Sequence, residues 1–107
     1  MAERRDVLVG VDLGTNSVKV GAFSMDGLTL ASSSRSYPTS MPKRDWSEQK
    51  PEDWWKATIA ALRSLCKKFD PGRVMALSLA GQMHGSVFLD RNDHVIRPSI
   101  VWNDNRT

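Results

Sequence analysis

Between Asp6 and Asp12 the chain places Val7, Leu8, Val9 and Val11 with only Gly10 among them. Such a short, β-branched apolar run predicts a strand buried on both faces. A polar turn follows, Leu13-Gly14-Thr15-Asn16, and Val18, Val20 and Ala22 then alternate with Ser17, Lys19 and Gly21 in the stretch Ser17 to Met25. That alternation predicts a second strand. Asp26-Gly27 predicts a two-residue hairpin turn of type I′, where glycine accepts the positive φ. Leu28 to Tyr37 predicts a third strand, its Ser32-Ser33-Ser34 suited to a sheet edge, and Pro38 and Pro42 begin a loop.

Pro51 opens the one clear helix, with Glu52 and Asp53 in its first turn to complement the helix dipole. Trp55, Ile59, Leu62, Cys66 and Phe69 recur at spacings of four, three, four and three, which predicts that they form the buried face. Trp46 and Trp55 are accordingly assigned to packing. Asp70-Pro71-Gly72 ends the helix. Val74 to Ala80 predicts a fourth strand, residues 81–85 a loop between two glycines, and Val87-Phe88-Leu89 a fifth strand that turns through residues 91–94 into Val95-Ile96. A three-stranded antiparallel meander, one crossover helix and a parallel fourth strand make a mixed α/β layer with a right-handed connection. The architecture implied is a partial ribonuclease-H-like domain.

Length and composition narrow the class further. The 107 residues are enough for one domain, and 40% hydrophobic with 25% charged residues excludes a disordered tail or a collagen-like repeat. No apolar run approaches the ~18 residues of a membrane span. Val7 to Val11 is too short for a signal-peptide core, so a cytoplasmic location is expected. The single cysteine, Cys66, makes neither an internal disulfide nor a zinc site by itself. Fifteen basic residues against twelve acidic ones give a net charge of +3, dispersed in pairs. A solvated surface is the reading, with no nucleic-acid or membrane partner.

Three stretches carry candidate chemistry. Asp12 ends a buried strand and is followed by a glycine-containing, hydroxyl-rich turn. There backbone amides converge on phosphate oxygens, Thr15 and Ser17 add hydroxyl donors, and Asp12 holds hydrated Mg²⁺. Lys19 lies within reach of the same phosphates. Gln82-Met83-His84-Gly85 follows the fourth strand and so faces the same cleft as Asp12; His84 offers a donor and an acceptor to sugar hydroxyls. In Trp102-Asn103-Asp104-Asn105-Arg106 the Trp face suits the C–H surface of a sugar and Asn and Asp its hydroxyls. Trp102 fits a core position equally well, and Arg106 fits a structural pair with a carboxylate.

Four stretches together resemble the FGGY carbohydrate kinase family, and within it the xylulose kinases. They are residues 9–19, from Val9 through Asp12-Leu13-Gly14-Thr15 to Lys19; Trp46-Ser47-Glu48-Gln49 with Pro51-Glu52-Asp53-Trp54-Trp55; Ser78 to Gly85; and Arg97-Pro98 with Trp102-Asn103-Asp104. The phosphate motif is shared with actin and the heat-shock chaperones, whereas Gln-Met-His-Gly followed by Trp-Asn-Asp points to ketose kinases.

The resemblance implies ATP-dependent phosphorylation of D-xylulose to D-xylulose 5-phosphate. It implies Asp12 as the catalytic, Mg-ATP-side carboxylate, with Gly14, Thr15, Asn16, Ser17 and Lys19 on the cofactor. Met83 and His84 become sugar contacts, joined by Trp102, Asn103 and Asp104. Sedoheptulose kinases share the Met-His loop, so another ketose stays open. The resemblance also implies that residues 1–107 are the amino-terminal part of a first domain in a kinase several times longer. The base, the second phosphate motif and the adenosine pocket then lie outside the chain. The chain alone is expected to be inactive and prone to self-association, and a homodimer is open for the parent. Two other classes are weighed. A ribonuclease-H-type nuclease needs several converging carboxylates, and the fourth strand offers none. A non-catalytic actin-like nucleotide module leaves Gln82-Met83-His84-Gly85 unexplained.

Overall fold

In the computed structural model, which describes residues 4–107, the valine-rich run takes the centre of the main sheet. Its strands are β1 (Val7–Leu13), β2 (Ser17–Ser24), β3 (Thr29–Ser36) and, beyond a two-residue β4 (Glu48–Gln49) and helix α1 (Pro51–Leu65), β5 (Val74–Gly81). The order is β3-β2-β1-β5, with β1 antiparallel to β2 and parallel to β5. The mixed α/β layer read from the sequence is the one that forms. A second sheet pairs β4 with β6 (Ser99–Ile100), antiparallel.

Strand alternation divides the sheet into two unlike faces. Val7, Val9 and Val11 of β1 join Val18, Val20 and Ala22 of β2 in the buried core beneath α1. Gly10, Asp12, Lys19 and Gly21 line the opposite face. The helix lies over β2 and β3 and barely touches β1. Leu77 and Leu79 of β5 therefore stay exposed. The radius of gyration is 16.5 Å, above the about 13 Å of a closed domain of this length.

Three local expectations are corrected. The helix buries Ala57, Ala61 and Leu65, with Trp54, Leu62 and Phe69 packed beside them. Trp55 is 67% exposed, and Cys66 is exposed as well. The apolar spacing selected the bulky side chains, but two alanines let the helix approach the valine face closely, which turns the large residues to its flank. Trp55 there borders an apolar groove of about 500 Å³ with Trp54, Val11 and Leu79.

The Asp26-Gly27 turn is not type I′, since only Gly27 has positive φ, at 89°. The Gly27 amide bonds the Ser24 carbonyl at 3.0 Å and the Ser24 amide bonds the Leu28 carbonyl at 2.9 Å. That is a three-residue loop closing on a left-handed glycine. Finally, Val87-Phe88-Leu89 forms no strand. Leu89 makes only an isolated bridge to Val95, because no neighbouring strand among the described residues continues the ladder.

Tyr37 anchors the turn between β1 and β2. Its ring is buried in the core, and its hydroxyl donates to the Gly14 carbonyl and, at 3.1 Å, to the Ser17 carbonyl. Burial, with the Asp12 charge adding to it, pushes the phenol up to about 12.

Two measurements check this packing. Leu65→Ala should lower the unfolding free energy by about 2–5 kcal/mol, as core truncations do, whereas Trp55→Ala should stay within about 0.5 kcal/mol. Urea unfolding followed by circular dichroism separates the two, and a large loss at Trp55 would reverse the helix orientation. Tyr37 is the only tyrosine, so tyrosinate absorbance reports it alone. It should ionise near pH 12 in the folded chain and near the ordinary value of about 10 in denaturant. A raised pKa on an acid that is neutral when protonated means this contribution is complete below pH about 10 and is lost as pH rises towards about 12. A folded-state midpoint near 10 would show the hydroxyl to be free.

Candidate functional site

Asp12 sits one residue before the end of β1, on the sheet face away from the helix. Its cross-strand neighbours are Lys19 on β2 and Ala80 on β5. These residues border a groove of about 550 Å³, with Gly10, Gly21, Phe23 and Ser78. The groove exists because two glycines stand where side chains would otherwise fill the face. The described ion pairs leave both the Asp12 carboxylate and the Lys19 amine out. A carboxylate and an amine on adjacent strands, at the carboxyl end of a central strand, are placed to meet a cation and an anion together.

The turn beyond Asp12 is held from inside. The Gly14 amide donates to the Ser17 carbonyl at 2.9 Å, so it is not offered to a ligand. A Cβ on Gly14 would stand 3.1 Å from that same oxygen, which explains why this position carries glycine. Thr15 and Asn16 differ: neither amide donates a hydrogen bond among the described residues. The Thr15 hydroxyl accepts from the Trp102 indole at 3.0 Å, and its carbonyl accepts from the Gln49 amide at 2.7 Å. The turn at Gly14-Thr15-Asn16 and the Trp102 segment, with Thr15 and Trp102 87 residues apart, are therefore in direct contact.

Gln49 is buried at 2% exposure. Its amide also donates to Thr39 Oγ1 at 2.8 Å, and its carbonyl accepts from Trp54 Nε1 and from Gln82 Nε2, both at 2.9 Å. Gln82 leads directly into Met83 and His84. The Gln82 backbone extends the β5 ladder to the Leu13 carbonyl at 2.8 Å. Met83 is exposed, and His84 adopts a left-handed φ of 60°. The Gln82 Oε1 and Ser99 hydroxyl are buried without a partner among the described residues.

Asp104 is engaged otherwise than as an open sugar ligand. Its carboxylate accepts from the Ser47 amide at 2.6 Å and from the Arg106 guanidinium at 2.6 Å and 2.9 Å. These hydrogen bonds, Arg106 first, hold the carboxyl well below the usual range, and they raise Arg106 in turn. Arg106 also pairs with Glu48 at 2.9 Å, Glu48 with Arg97 at 2.6 Å, and the Trp46 ring lies 3.8 Å from the Arg106 guanidinium. This web clasps residues 46–49 to residues 97–106. It leaves Trp102 and Asn103 exposed at the turn.

The structure thus gathers Asp12, Thr15, Asn16, Lys19 and Trp102 at one sheet end, with Met83 and His84 reached through Gln82. The carboxylate pair read for Arg106 forms, with Asp104 and Glu48 as its partners, whereas sequence reading missed Gln49, Gln82 and Glu48 as organisers. Ser47-Glu48-Gln49 reads as a polar loop before a helix, and no periodicity marks it as buried.

Comparison with known proteins identifies the family. Residues 7–107 match the amino-terminal domain of the FGGY family of carbohydrate kinases. The chain is 44% identical over 98 residues to the xylulose kinase of Escherichia coli K12, covering 92% of this chain and 20% of that protein. It is 33% identical over 100 residues to the gluconokinase of Bacillus subtilis, again covering 20% of it. A ligand-bound xylulose kinase from Lactobacillus acidophilus superposes with a TM-score of 0.87 at 31% identity, over 92% of this chain and 20% of that one. The chain spans about a fifth of the length of the curated relatives it matches. It belongs to the FGGY family of carbohydrate kinases.

Proposed function

We propose that the chain works as the amino-terminal part of an ATP-dependent ketose kinase, with D-xylulose as the sugar. The observation that carries this reading is the contact of the phosphate turn with the Trp102 segment directly and with the Gln82-Met83-His84-Gly85 loop through Gln49. Phosphoryl transfer needs donor and acceptor held in line, and here the elements assigned to each are hydrogen-bonded together.

The residues present fit a magnesium nucleotide. The Thr15 and Asn16 amides lack internal partners, the Asp12 carboxylate has no ion pair among the described residues, and Lys19 stands beside it in register. When bound, Mg-ATP supplies the phosphoryl group and the ion that offsets its charge. Asp12 would hold the ion, while Thr15, Asn16, Ser17 and Lys19 would orient the phosphates. On the sugar side, Met83, His84, Trp102 and Asn103 make the contacts. Asp104 braces the segment that presents two of them. The similarity to xylulose kinases favours D-xylulose over gluconate or sedoheptulose, and the reaction belongs to the whole kinase.

In the full-length kinase carrying this chain, Asp12→Asn should reduce kcat by about 10²–10³-fold, the scale of losing one preorganised electrostatic group, with the ketose KM almost unchanged. His84→Ala should lower kcat/KM for the ketose by about 1–3 kcal/mol and leave the ATP KM alone. Steady-state ADP release with D-xylulose, D-gluconate and sedoheptulose as acceptors measures both. Unchanged turnover in Asp12→Asn would remove Asp12 from the site, and faster turnover of gluconate would reassign the substrate.

A further inference from the structure

We propose that Gln49 is a positioning residue that sets the aim of the phosphate turn and the seat of the sugar loop with one side chain. The proposal rests on the kinase reading above. The side chain is buried, and its four hydrogen-bonding positions are all filled: two donations, to Thr15 O and Thr39 Oγ1, and two acceptances, from Trp54 Nε1 and Gln82 Nε2. A primary amide has two donors and two acceptor positions fixed in one plane. No other uncharged side chain supplies that pattern at this length.

The bond to Thr15 has a consequence one atom further on. The Thr15 carbonyl and the Asn16 amide belong to the same planar, trans peptide unit, so they point in opposite directions. By drawing the carbonyl towards the protein interior at 2.7 Å, Gln49 turns the Asn16 N–H outward. That N–H is one of the two turn amides without an internal partner. At the other end, Gln49 holds Gln82 at 2.9 Å, immediately before Met83 and the left-handed His84. The buried Gln82 Oε1 has no partner among the described residues, so Gln49 is the side-chain anchor of that loop start. A shift of the Gln49 amide is therefore felt on both sides of the reaction.

Three variants of the full-length kinase separate positioning from mere packing. Gln49→Glu keeps the shape and the acceptors but repels the Thr15 carbonyl, and should raise the ATP KM about tenfold and lower kcat, a factor equivalent to one disturbed hydrogen bond. The defect should shrink from about pH 8 to about pH 6, because a protonated carboxyl regains a donor. Gln82→Leu removes the sugar-loop arm and should raise the ketose KM about tenfold, with a smaller rise in the ATP KM passed on through Gln49. Thr39→Val removes a Gln49 partner on neither substrate's side and should lower the melting temperature without moving either KM.

If Gln49→Glu behaves like Thr39→Val, losing stability with both KM values intact, the proposal is overturned. A wild-type enzyme that phosphorylates no sugar would defeat the kinase reading instead, and the coupling is then judged without turnover. In the amide NMR spectrum, Gln82→Leu should shift the Asn16 resonance, and the same substitution in a Gln49→Leu background should not. An equal shift in both backgrounds would also overturn the proposal.

Discussion

β1 is hydrogen-bonded on both edges, to β2 and to β5, and that double pairing fixes which way each of its side chains points. Once Val7, Val9 and Val11 are committed to the helix side, the period of two leaves Gly10 and Asp12 no choice but the opposite face. A one-residue slip would turn Asp12 into the apolar core on the helix side and the valines to the groove. The valine burial that stabilises the sheet also enforces the register that presents the carboxylate. Stability and site placement are here one constraint.

The short second sheet is held by different means. β4 and β6 contribute two residues each, too few to persist as a hairpin in water. Charge and a buried amide do the holding: Glu48 between Arg97 and Arg106, Asp104 on Arg106 and Ser47, and Gln49 among its four partners. Asp104 and Glu48 are both nearly enclosed, with 2% and 11% of their side chains accessible. Removing one member leaves its partner charged and desolvated, which is the expensive outcome for such pairs. The web therefore works as a unit or not at all.

The elements whose signal is local were legible in the sequence. The apolar run gave β1, though only its valine face is buried and the Gly10-Asp12 face lines a groove; alternation gave β2, and Pro51 with Glu52 and Asp53 gave the start of α1. The turn after Asp12 stood out as a candidate because a carboxylate, a glycine and hydroxyls fall together within a few residues. What escaped depends on contacts distant in sequence. Which helix face is buried was decided by the smallness of Ala57 and Ala61 against the sheet, a property of fit and not of hydrophobic spacing. Gln49 looks like any polar residue before a helix until Thr15, 34 positions away, and Gln82, 33 positions away, are brought to it. Asp104 reads as a free carboxylate until Arg106 and Ser47 close on it.

The parallel pairing of β1 with β5 also has a timetable. Val7 pairs with Val74, 67 positions later in the chain, whereas its partner on β2 is Ser24. The meander ends at Ser36, 38 positions before Val74, so at synthesis rates of about 5–20 residues per second it waits with one edge of β1 unpaired for roughly 2–8 seconds before β5 begins. During that interval a valine-rich strand presents a row of unsatisfied amides and carbonyls to any passing strand. The crossover that places Asp12 at the end of a doubly paired strand thus obliges the nascent chain to pass through a stage when that strand is half dressed, and to survive it.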